Sequence, residues 1–347
     1  MKRLFFTLCF LLIAGDCLAA SSRVMPAAYN ESTYGSGADY TSLATWEADT
    51  DIDVSTTGEV LTCSAGVYND SVTLDGATTD ADGFRVIRAA SGARGTSTSG
   101  VRFEKSATLT DVFVIAADEN NFHCFDIAAK AVTTASTSIK HAVGFLCAPG
   151  TGSYWVGCTA YDCANTGSVT YSLACGFYIG YYGEQSHYLI NCVAKNISGS
   201  NINSAGVLSF CSTTGTVNIY IYNMTINDTN TPNAIYGATG GTLRTLNLII
   251  KNTIIQDYSG SAIFTGGDGT ENIYQTTNVT SGVTFAADGY HLDSTDTGAI
   301  GNGTDLSADA VFAFDDDIDG ETRNDWDIGA DEYVASSTRR RVIIVGD

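Results

Sequence analysis

The sequence predicts an all-β protein, built as a single-stranded, right-handed parallel β-helix with a short N-terminal capping helix. Three observations lead to this fold class. Similar segments recur at a nearly constant spacing along the chain, each segment is a short apolar run bounded by Gly, Asn, Asp, Ser or Thr, and the chain holds 36 Gly but only 3 Pro. Repeats of this kind made of short strands are typical of a solenoid, whose coils bury their apolar faces against one another.

One position anchors the repeat in five successive segments. Cys124, Cys158 and Cys192 are evenly spaced, and Asn223 and Asn252 follow at slightly shorter intervals. Strands of neighbouring coils lie about 4.8 Å apart. We therefore expect these five side chains to stack in one inward column.

Alternation along each strand then sets which side chains face inward. Counted back from Cys158, a period of two places Tyr154 and Val156 inward and Trp155 outward. The same count on a later segment places Tyr220 outward, and the aligned column places Tyr222 outward as well. We expect these three outward aromatic residues, Trp155, Tyr220 and Tyr222, to bind a glycan, because flat aromatic rings suit sugar rings. The alternative is that they are ordinary strand residues of a β-helix surface.

Residues 1–20 have the pattern of a secretory signal peptide. Lys2 and Arg3 precede an apolar run from Leu4 to Ala14, which is too short to span a bilayer, and small residues follow near Ala20. We expect a protein that is secreted, extracellular or bound at the cell surface, with no membrane insertion of its mature chain. A net charge of −21 disfavours nucleic acid and anionic lipid as partners.

Residues 21–58 form the predicted N-terminal segment with its capping helix. The stretch from Tyr40 to Asp49 is helical in pattern, with Thr41 or Ser42 as its cap. Leu43 and Trp46 give it an apolar side. A β-helix has to close its open end against edge pairing, so we expect Trp46 in the core beneath this cap.

Residues 59–285 form the predicted β-helix itself, and its cysteines leave two alternatives open. Eight cysteines follow the predicted signal peptide, and an even count in a secreted chain predicts disulfides. Six of the eight lie in or beside the aligned coils between Cys124 and Cys192, or at their edges. A ladder of unpaired, buried thiols explains the same spacing equally well.

Residues 286–347 form the predicted closing segment and tail. Asp317, Asp319, Gly320 and Arg323 are followed by Asp-Ile-Gly-Ala-x-Glu over residues 327–332. This pattern resembles the C-terminal closing segment of many secreted bacterial β-helix proteins.

The repeat as a whole resembles the pectate-lyase-like family of right-handed β-helix proteins, on the segments YWVGC, YLINC, IYIYN and LNLII. The resemblance covers most of the mature chain, and its motifs specify a fold rather than an activity. It implies that an enzyme of this type would be a polysaccharide lyase, with acidic Ca²⁺ ligands and an Arg or Lys base, or a hydrolase with clustered Asp residues. The weak catalytic candidates in this chain are Asp162, Asp228, Asp257 and Lys251. The hydrolases' motifs, Asn-Thr-Asp, Asp-Asp, His-Gly and Arg-Ile-Lys, are not present as a set.

The acidic run at Asp315, Asp317 and Asp319 is the candidate metal site, and Ca²⁺ is the one cofactor that the sequence suggests. A complete calcium loop needs a bidentate acid at the sixth position after Gly320, where this chain has Trp326. The alternative is a fixed turn in which Arg323 neutralises Asp317 and Asp319.

Three functions fit these observations. The first is a carbohydrate-binding or cell-surface adhesive module, whose partner is a polysaccharide or a cell-surface glycan. The second is a polysaccharide lyase or glycoside hydrolase, and the third is a structural component of a phage spike or surface fibre. An acid pair on the outward strands would favour the enzyme, and an uncovered apolar column would favour the assembly component.

Overall fold

The computed structural model describes residues 22–134, 139–147, 152–167, 172–180, 185–199, 201, 203–212, 214–227 and 229–335. The predicted signal peptide, the catalytic candidate Asp228 and the residues after Ala335 lie outside these ranges. Within the described part of the chain, no helix is long and apolar enough to cross a membrane.

The predicted fold class is confirmed: the chain is a parallel β-helix of about seven turns with three sheets along its axis. Sheet 1 has nine strands, in this order along the axis: Tyr29–Tyr34, Gly58–Cys63, Arg85–Ala89, Phe122–Phe125, Ser153–Val156, Gln185–Ile190, Gly215–Tyr222, Arg244–Lys251 and Thr270–Thr276. Sheet 2 has seven: Val72–Leu74, Val112–Ala117, His141–Cys147, Leu173–Ile179, Ala205–Cys211, Asn233–Thr239 and Ser261–Gly267. Sheet 3 has nine: Gly66–Tyr68, Val101–Thr108, Ala128–Thr134, Thr159–Tyr161, Ala164–Asn165, Val193–Lys195, Ser198–Gly199, Thr225–Asn227 and Ile254–Ile255.

The capping helix runs over Leu43–Asp49, shorter at its start than the predicted Tyr40–Asp49. Ser42 is its N-cap residue but makes no side-chain cap hydrogen bond. The backbone N–H of Leu43 instead donates to Asp70 Oδ2 at 2.7 Å. Leu43 and Trp46 are fully buried in the main core, which confirms the predicted position of Trp46 under the cap.

The predicted inward column is wrong at two of its four steps. Cys124 pairs in register with Trp155 rather than with Cys158. Cys192 does not share a register with Asn223, because Leu189 pairs with Ile221 on the preceding strands. The steps from Cys158 to Cys192 and from Asn223 to Asn252 have the predicted register, but the side chain of Asn252 bonds to the closing segment rather than facing the core.

The predicted orientation is also wrong for the two sheet 1 strands that hold Tyr154 and Tyr188, whereas Ile219, Ile221, Leu248 and Ile250 face inward as predicted. Trp155 is fully buried in the main core, whereas Tyr154 lies on the outer face. The reason is the corner residue Gly157, whose φ of 64° turns the chain between Val156 and Cys158. When alternation is counted from Cys158 back across this corner, the inward and outward assignments of the side chains on the preceding strand are exchanged.

The corner between sheets 1 and 3 is a column of left-handed residues. Asp126, Gly157, Asn191, Asn223 and Asn252 have φ of 62°, 64°, 53°, 50° and 49°. Asn, Asp and Gly are the residue types that adopt this conformation most readily. The recurring shape of the corner explains why the chain repeats these small residues there.

The closing segment, described over residues 286–335, folds back along this corner. Asn252 Nδ2 donates to the Thr304 carbonyl at 2.7 Å, and the Thr304 N–H donates to Asn252 Oδ1 at 2.9 Å. Farther back, Asn191 Nδ2 donates to the Asp316 carbonyl at 2.9 Å. The segment therefore lies against the flank of the β-helix.

Apolar side chains hold the closing segment on the outer face of sheet 1. Leu306, Phe314 and Trp326 form one buried cluster with strand residues that include Val156, Ile190 and Tyr222. Apolar burial of this kind contributes about 25 cal/mol per Å². The outer face near the corner is thus an interior surface of the protein.

The described cysteines favour the thiol alternative. Six of them are free thiols in the core: Cys63, Cys124, Cys158, Cys163, Cys175 and Cys192. The Sγ of Cys158 donates to the Cys124 carbonyl at 3.3 Å, and that of Cys192 to the Trp155 carbonyl at 3.1 Å. Small thiols fill inward positions of the main core here, and those of Cys158 and Cys192 donate to backbone carbonyls.

Candidate functional site

Three tyrosines stack on the outer face of sheet 1. Tyr154, Tyr188 and Tyr220 are in register on successive coils. The ring centroids of Tyr154 and Tyr188 are 4.4 Å apart with planes at 6°, and those of Tyr188 and Tyr220 are 4.9 Å apart at 9°. Phe312 of the closing segment contacts the first two rings at 5.7 and 5.5 Å. The three rings are half-buried and form a continuous aromatic stack along the axis.

A ladder of polar side chains runs beside this stack, two positions earlier on each strand. Asn272 Nδ2 donates to Asn247 Oδ1 at 2.8 Å, and Asn247 Nδ2 donates to Asn218 Oδ1 at 2.8 Å. Asn218 Nδ2 is 3.4 Å from Ser186 Oγ, which continues the ladder onto the next coil. Each ladder bond uses one N–H of the donor amide and one lone pair of its acceptor. The amides therefore keep further donors and acceptors for a ligand.

An open cleft of about 600 Å³ lies where the stack and the ladder meet. Its lining combines two rings of the stack with amide and hydroxyl groups: Asn121, Gly152, Tyr154, Gln185, Ser186, Tyr188, Thr216 and Asn218. Sheet 1 positions all of these groups, because they lie on or just before its strands in four consecutive coils.

The lining of the cleft is uncharged at ordinary pH. Burial raises the pKa of Tyr154 and of Tyr188, so both phenols stay neutral. Every other lining group is an amide, a hydroxyl or a glycine. The site presents aromatic edges and neutral hydrogen-bonding groups to solvent.

The structure separates the three predicted glycan-binding residues. Trp155 is in the core, where its indole Nε1 donates to Ser153 Oγ at 3.1 Å, so an outward role for Trp155 is wrong. Tyr222 faces outward but is buried beneath the closing segment, with Lys251 Nζ 4.7 Å from its ring centroid. Of the three predicted residues, Tyr220 is the one that belongs to the aromatic stack.

Sequence reasoning missed Tyr154, Tyr188 and the asparagine ladder. The signal was present in the spacing, because Tyr154, Tyr188 and Tyr220 recur at the length of one coil, and so do Asn218 and Asn247. Aligning the tyrosines rather than the cysteines would have found the outer face.

The catalytic candidates do not converge. Asp162 is 3.2 Å from Lys130 Nζ and accepts a hydrogen bond from Asn196 Nδ2 at 2.6 Å. Successive registers place Asp257 three coils farther along the same corner. At about 4.8 Å a coil the two carboxylates are roughly 14 Å apart, beyond the separation that glycosidases use.

Lys251 lies at a different corner and is already paired. Its amine contacts the Asp309 carboxylate of the closing segment. Lys251 comes just before the corner residue Asn252, whereas Asp257 follows the next strand, Ile254–Ile255. Lys251 therefore does not share the corner of Asp162 and Asp257, and catalysis by these residues stays a prediction.

The acidic run of the closing segment forms a turn. Asp317 Oδ1 accepts the backbone N–H groups of Asp319 and Glu321 at 2.9 and 2.8 Å, and its Oδ2 accepts that of Glu332 at 3.2 Å. Asp315 lies at the start of the turn, where its carbonyl accepts the Arg323 N–H. These bonds fix the turn, but the ion pair of Arg323 is with Glu332, and Asp319 pairs with Arg94 and His291.

The carboxylate of Asp319 points away from this turn, toward two basic side chains. Its carboxylate is 2.8 Å from Arg94 Nη2 and 3.0 Å from His291 Nε2. His291, Asp319 and Asp331 place ligand-type atoms within 4.8 Å of one another. A metal ion at this position would have to displace the Arg94 guanidinium, and Ca²⁺ binding by the acidic run stays a prediction.

Comparisons with known proteins find one weak structural likeness. No family model matches the chain, and no curated protein matches it. Among solved structures, the chain is similar to the pectin methylesterase from Aspergillus niger in deglycosylated form, at 14% sequence identity and a TM-score of 0.39. The alignment covers 78% of this chain and 90% of that one. A likeness of this degree carries no argument about activity.

Proposed function

We propose that this chain is a secreted carbohydrate-binding protein, and that the cleft on sheet 1 holds a neutral glycan. The observation that carries the proposal is the aromatic stack of Tyr154, Tyr188 and Tyr220 running beside the asparagine ladder. A sugar ring needs both an apolar surface for its C–H face and hydrogen-bonding groups for its hydroxyls. Both kinds of surface meet in the cleft.

The repeat of the solenoid suits a polymer. Rungs of the ladder recur about every 4.8 Å along the axis, so successive units of an extended glycan meet similar groups. Each sugar unit loses conformational freedom when it binds, so its contact with one rung adds only a modest binding free energy. We expect longer oligosaccharides to bind more tightly than short ones.

Charge supports a neutral ligand. The lining has no ionised side chain, while the whole chain carries a net charge of −21. A polyanion would be repelled by this field without gaining an ion pair in the cleft. The described lining contains no carboxylate, so the proposal is limited to binding.

The test is a glycan array probed with wild type, Tyr188→Ala and Asn218→Ala. The matched control is Tyr236→Ala, because Tyr236 is a half-buried tyrosine stacked on Phe264 at 5.4 Å and 11° but lies on sheet 2. We expect wild type and the control to bind the same neutral glycans, and both cleft variants to bind at least tenfold more weakly.

Two results would reject the site. One is an array on which wild type binds no neutral glycan, and the other is equal binding by wild type and Tyr188→Ala. Shortening of a bound polysaccharide during incubation would instead establish the enzyme alternative.

A further inference from the structure

The last coil of the solenoid has an open edge. Thr270–Thr276 of sheet 1 pairs with Arg244–Lys251, and Ser261–Gly267 of sheet 2 pairs with Asn233–Thr239. On their other sides, neither strand pairs with any strand in the described ranges. A row of backbone N–H and C=O groups on such an edge is a template for one more strand.

Apolar side chains of this coil are uncovered on both faces. Ile273 continues the inward position of Leu248, which is fully buried, yet Ile273 is 38% exposed. Tyr274, on the outer face, is 56% exposed. The closing segment does not cover them, because it lies along the flank at the corner residues Asn191 and Asn252.

The last described residue, Ala335, lies in a groove that a short stretch of chain connects to this edge. Thr304 Oγ1 is 2.5 Å from the hydroxyl of Thr277, the residue directly after the edge strand. Gly301, shortly before Thr304, donates to Asp327 Oδ1 at 2.6 Å, and Ala335 lines a groove with Ile300 and Asp327. The groove that holds Ala335 is thus linked to the Thr276 end of the edge strand by the short stretch 300–304.

The composition of residues 336–347 fits this edge. The sequence SSTRRRVIIVGD contains a short apolar run, Val342–Val345, after three arginines. A strand that is apolar on both faces matches an edge that leaves Ile273 uncovered on one face and Tyr274 on the other. Three residues separate the first arginine from Ala335, which lines a groove together with the acids Glu321, Asp325, Asp327 and Glu332.

We propose that Val342–Val345 pairs antiparallel with the open edge of Thr270–Thr276 and completes the β-helix. The connection from Ala335 to this run, residues 336–341, spans at most about 20 Å. That reach is enough to start a strand at the Thr276 end and run back along the edge, which gives the antiparallel direction. A second copy of the chain is a poorer occupant, because two molecules of net charge −21 repel one another.

The test is hydrogen exchange of the backbone amides in 270–276, measured on the full chain by mass spectrometry. It compares wild type, Ile343→Asp and the matched control Ser337→Asp, which adds the same charge outside the proposed strand. We expect exchange in 270–276 to be at least tenfold faster in Ile343→Asp and unchanged in the control. A charge buried between Ile273 and the core edge would disfavour pairing.

The measurement is made at two protein concentrations tenfold apart. Equal exchange rates in all three proteins would overturn the proposal, as would protection that is lost on dilution, which would identify a second copy as the occupant. If Ile343→Asp does not fold, wild type alone decides. In that case the proposal would be overturned if, in wild type, the N–H groups of 270–276 that point to the open edge exchange as fast as those of an unfolded peptide.

Discussion

Arg323 should hold the closing segment together, and its replacement by alanine tests this directly. The guanidinium is fully buried and donates to the carbonyls of Ala330 at 2.7 Å, Gly329 at 3.0 Å and Asp316 at 3.2 Å, and to Asn191 Oδ1 at 3.2 Å. One side chain thus ties both ends of the turn to the corner of the β-helix.

The expected loss follows from the acceptors left behind. Each buried acceptor without a donor costs about 1–3 kcal/mol, and these costs are not additive because water refills part of the space. Removing one partner of a buried ion pair costs about 3–5 kcal/mol, and Arg323 Nη1 is 3.5 Å from the Glu332 carboxylate. We therefore expect Arg323→Ala to lower the free energy of unfolding of the closing segment by about 3–5 kcal/mol.

The assay is a urea titration combined with limited proteolysis, with cleavage sites mapped by mass spectrometry. Arg323→Lys should lower the free energy of unfolding less than Arg323→Ala does, because lysine keeps the positive charge. It should still be less stable than wild type, because lysine lacks the planar set of donors. Arg88→Ala is the control, since Arg88 is partly exposed and pairs with Glu31 at the surface, where such a pair contributes about 0–1 kcal/mol. A loss below about 1 kcal/mol for Arg323→Ala, with no new cleavage between residues 286 and 335, would refute this reasoning.

Three further predictions concern the core, the cysteines and pH. Trp155→Ala should cost about 3–5 kcal/mol in a urea titration, because Trp155 fills the core; a cost near zero would contradict the observed register. The melting temperature should be unchanged by reductant, and thiol reagents should label Cys63 and Cys192 only after unfolding, since burial raises the pKa of both; labelling of the native protein would contradict this. Burial alone would lower the pKa of His291, but hydrogen bonds to Asp288 and Asp319 raise it to about 10. Its stabilising charge is therefore fully present below the unfolded-state pKa of about 6.5 and is lost as pH rises toward 10, so His291→Gln should flatten the pH dependence of the urea midpoint over that range.

The solenoid could be predicted because its signals are local and periodic. The coil length, the short strands and the small polar corner residues all appear in the sequence, and so does the amphipathic pattern around Trp46. Orientation on sheet 1 could not be obtained by alternation alone. A left-handed residue such as Gly157 or Asn191 reverses the count between one strand and the next.

The path of the closing segment could not be predicted, because the contacts that determine it join distant parts of the chain. Arg23 bridges Asp126 and Asp316, which places the start of the described chain, an early corner and the closing segment in one cluster. No periodicity signals a contact between residues so far apart in the sequence. For the same reason, the burial of Tyr222 and the pairing of Lys251 with Asp309 were not evident from their own segments.

The most direct test of the central claim is a crystal structure of the protein with a neutral oligosaccharide bound at saturating concentration. The account predicts sugar density in the cleft between Asn121 and Asn218, with a ring against Tyr154 or Tyr188 and hydroxyls bonded to the asparagine ladder. Sugar bound on the outer face of sheet 2, or a cleft that stays empty at saturation, would contradict it.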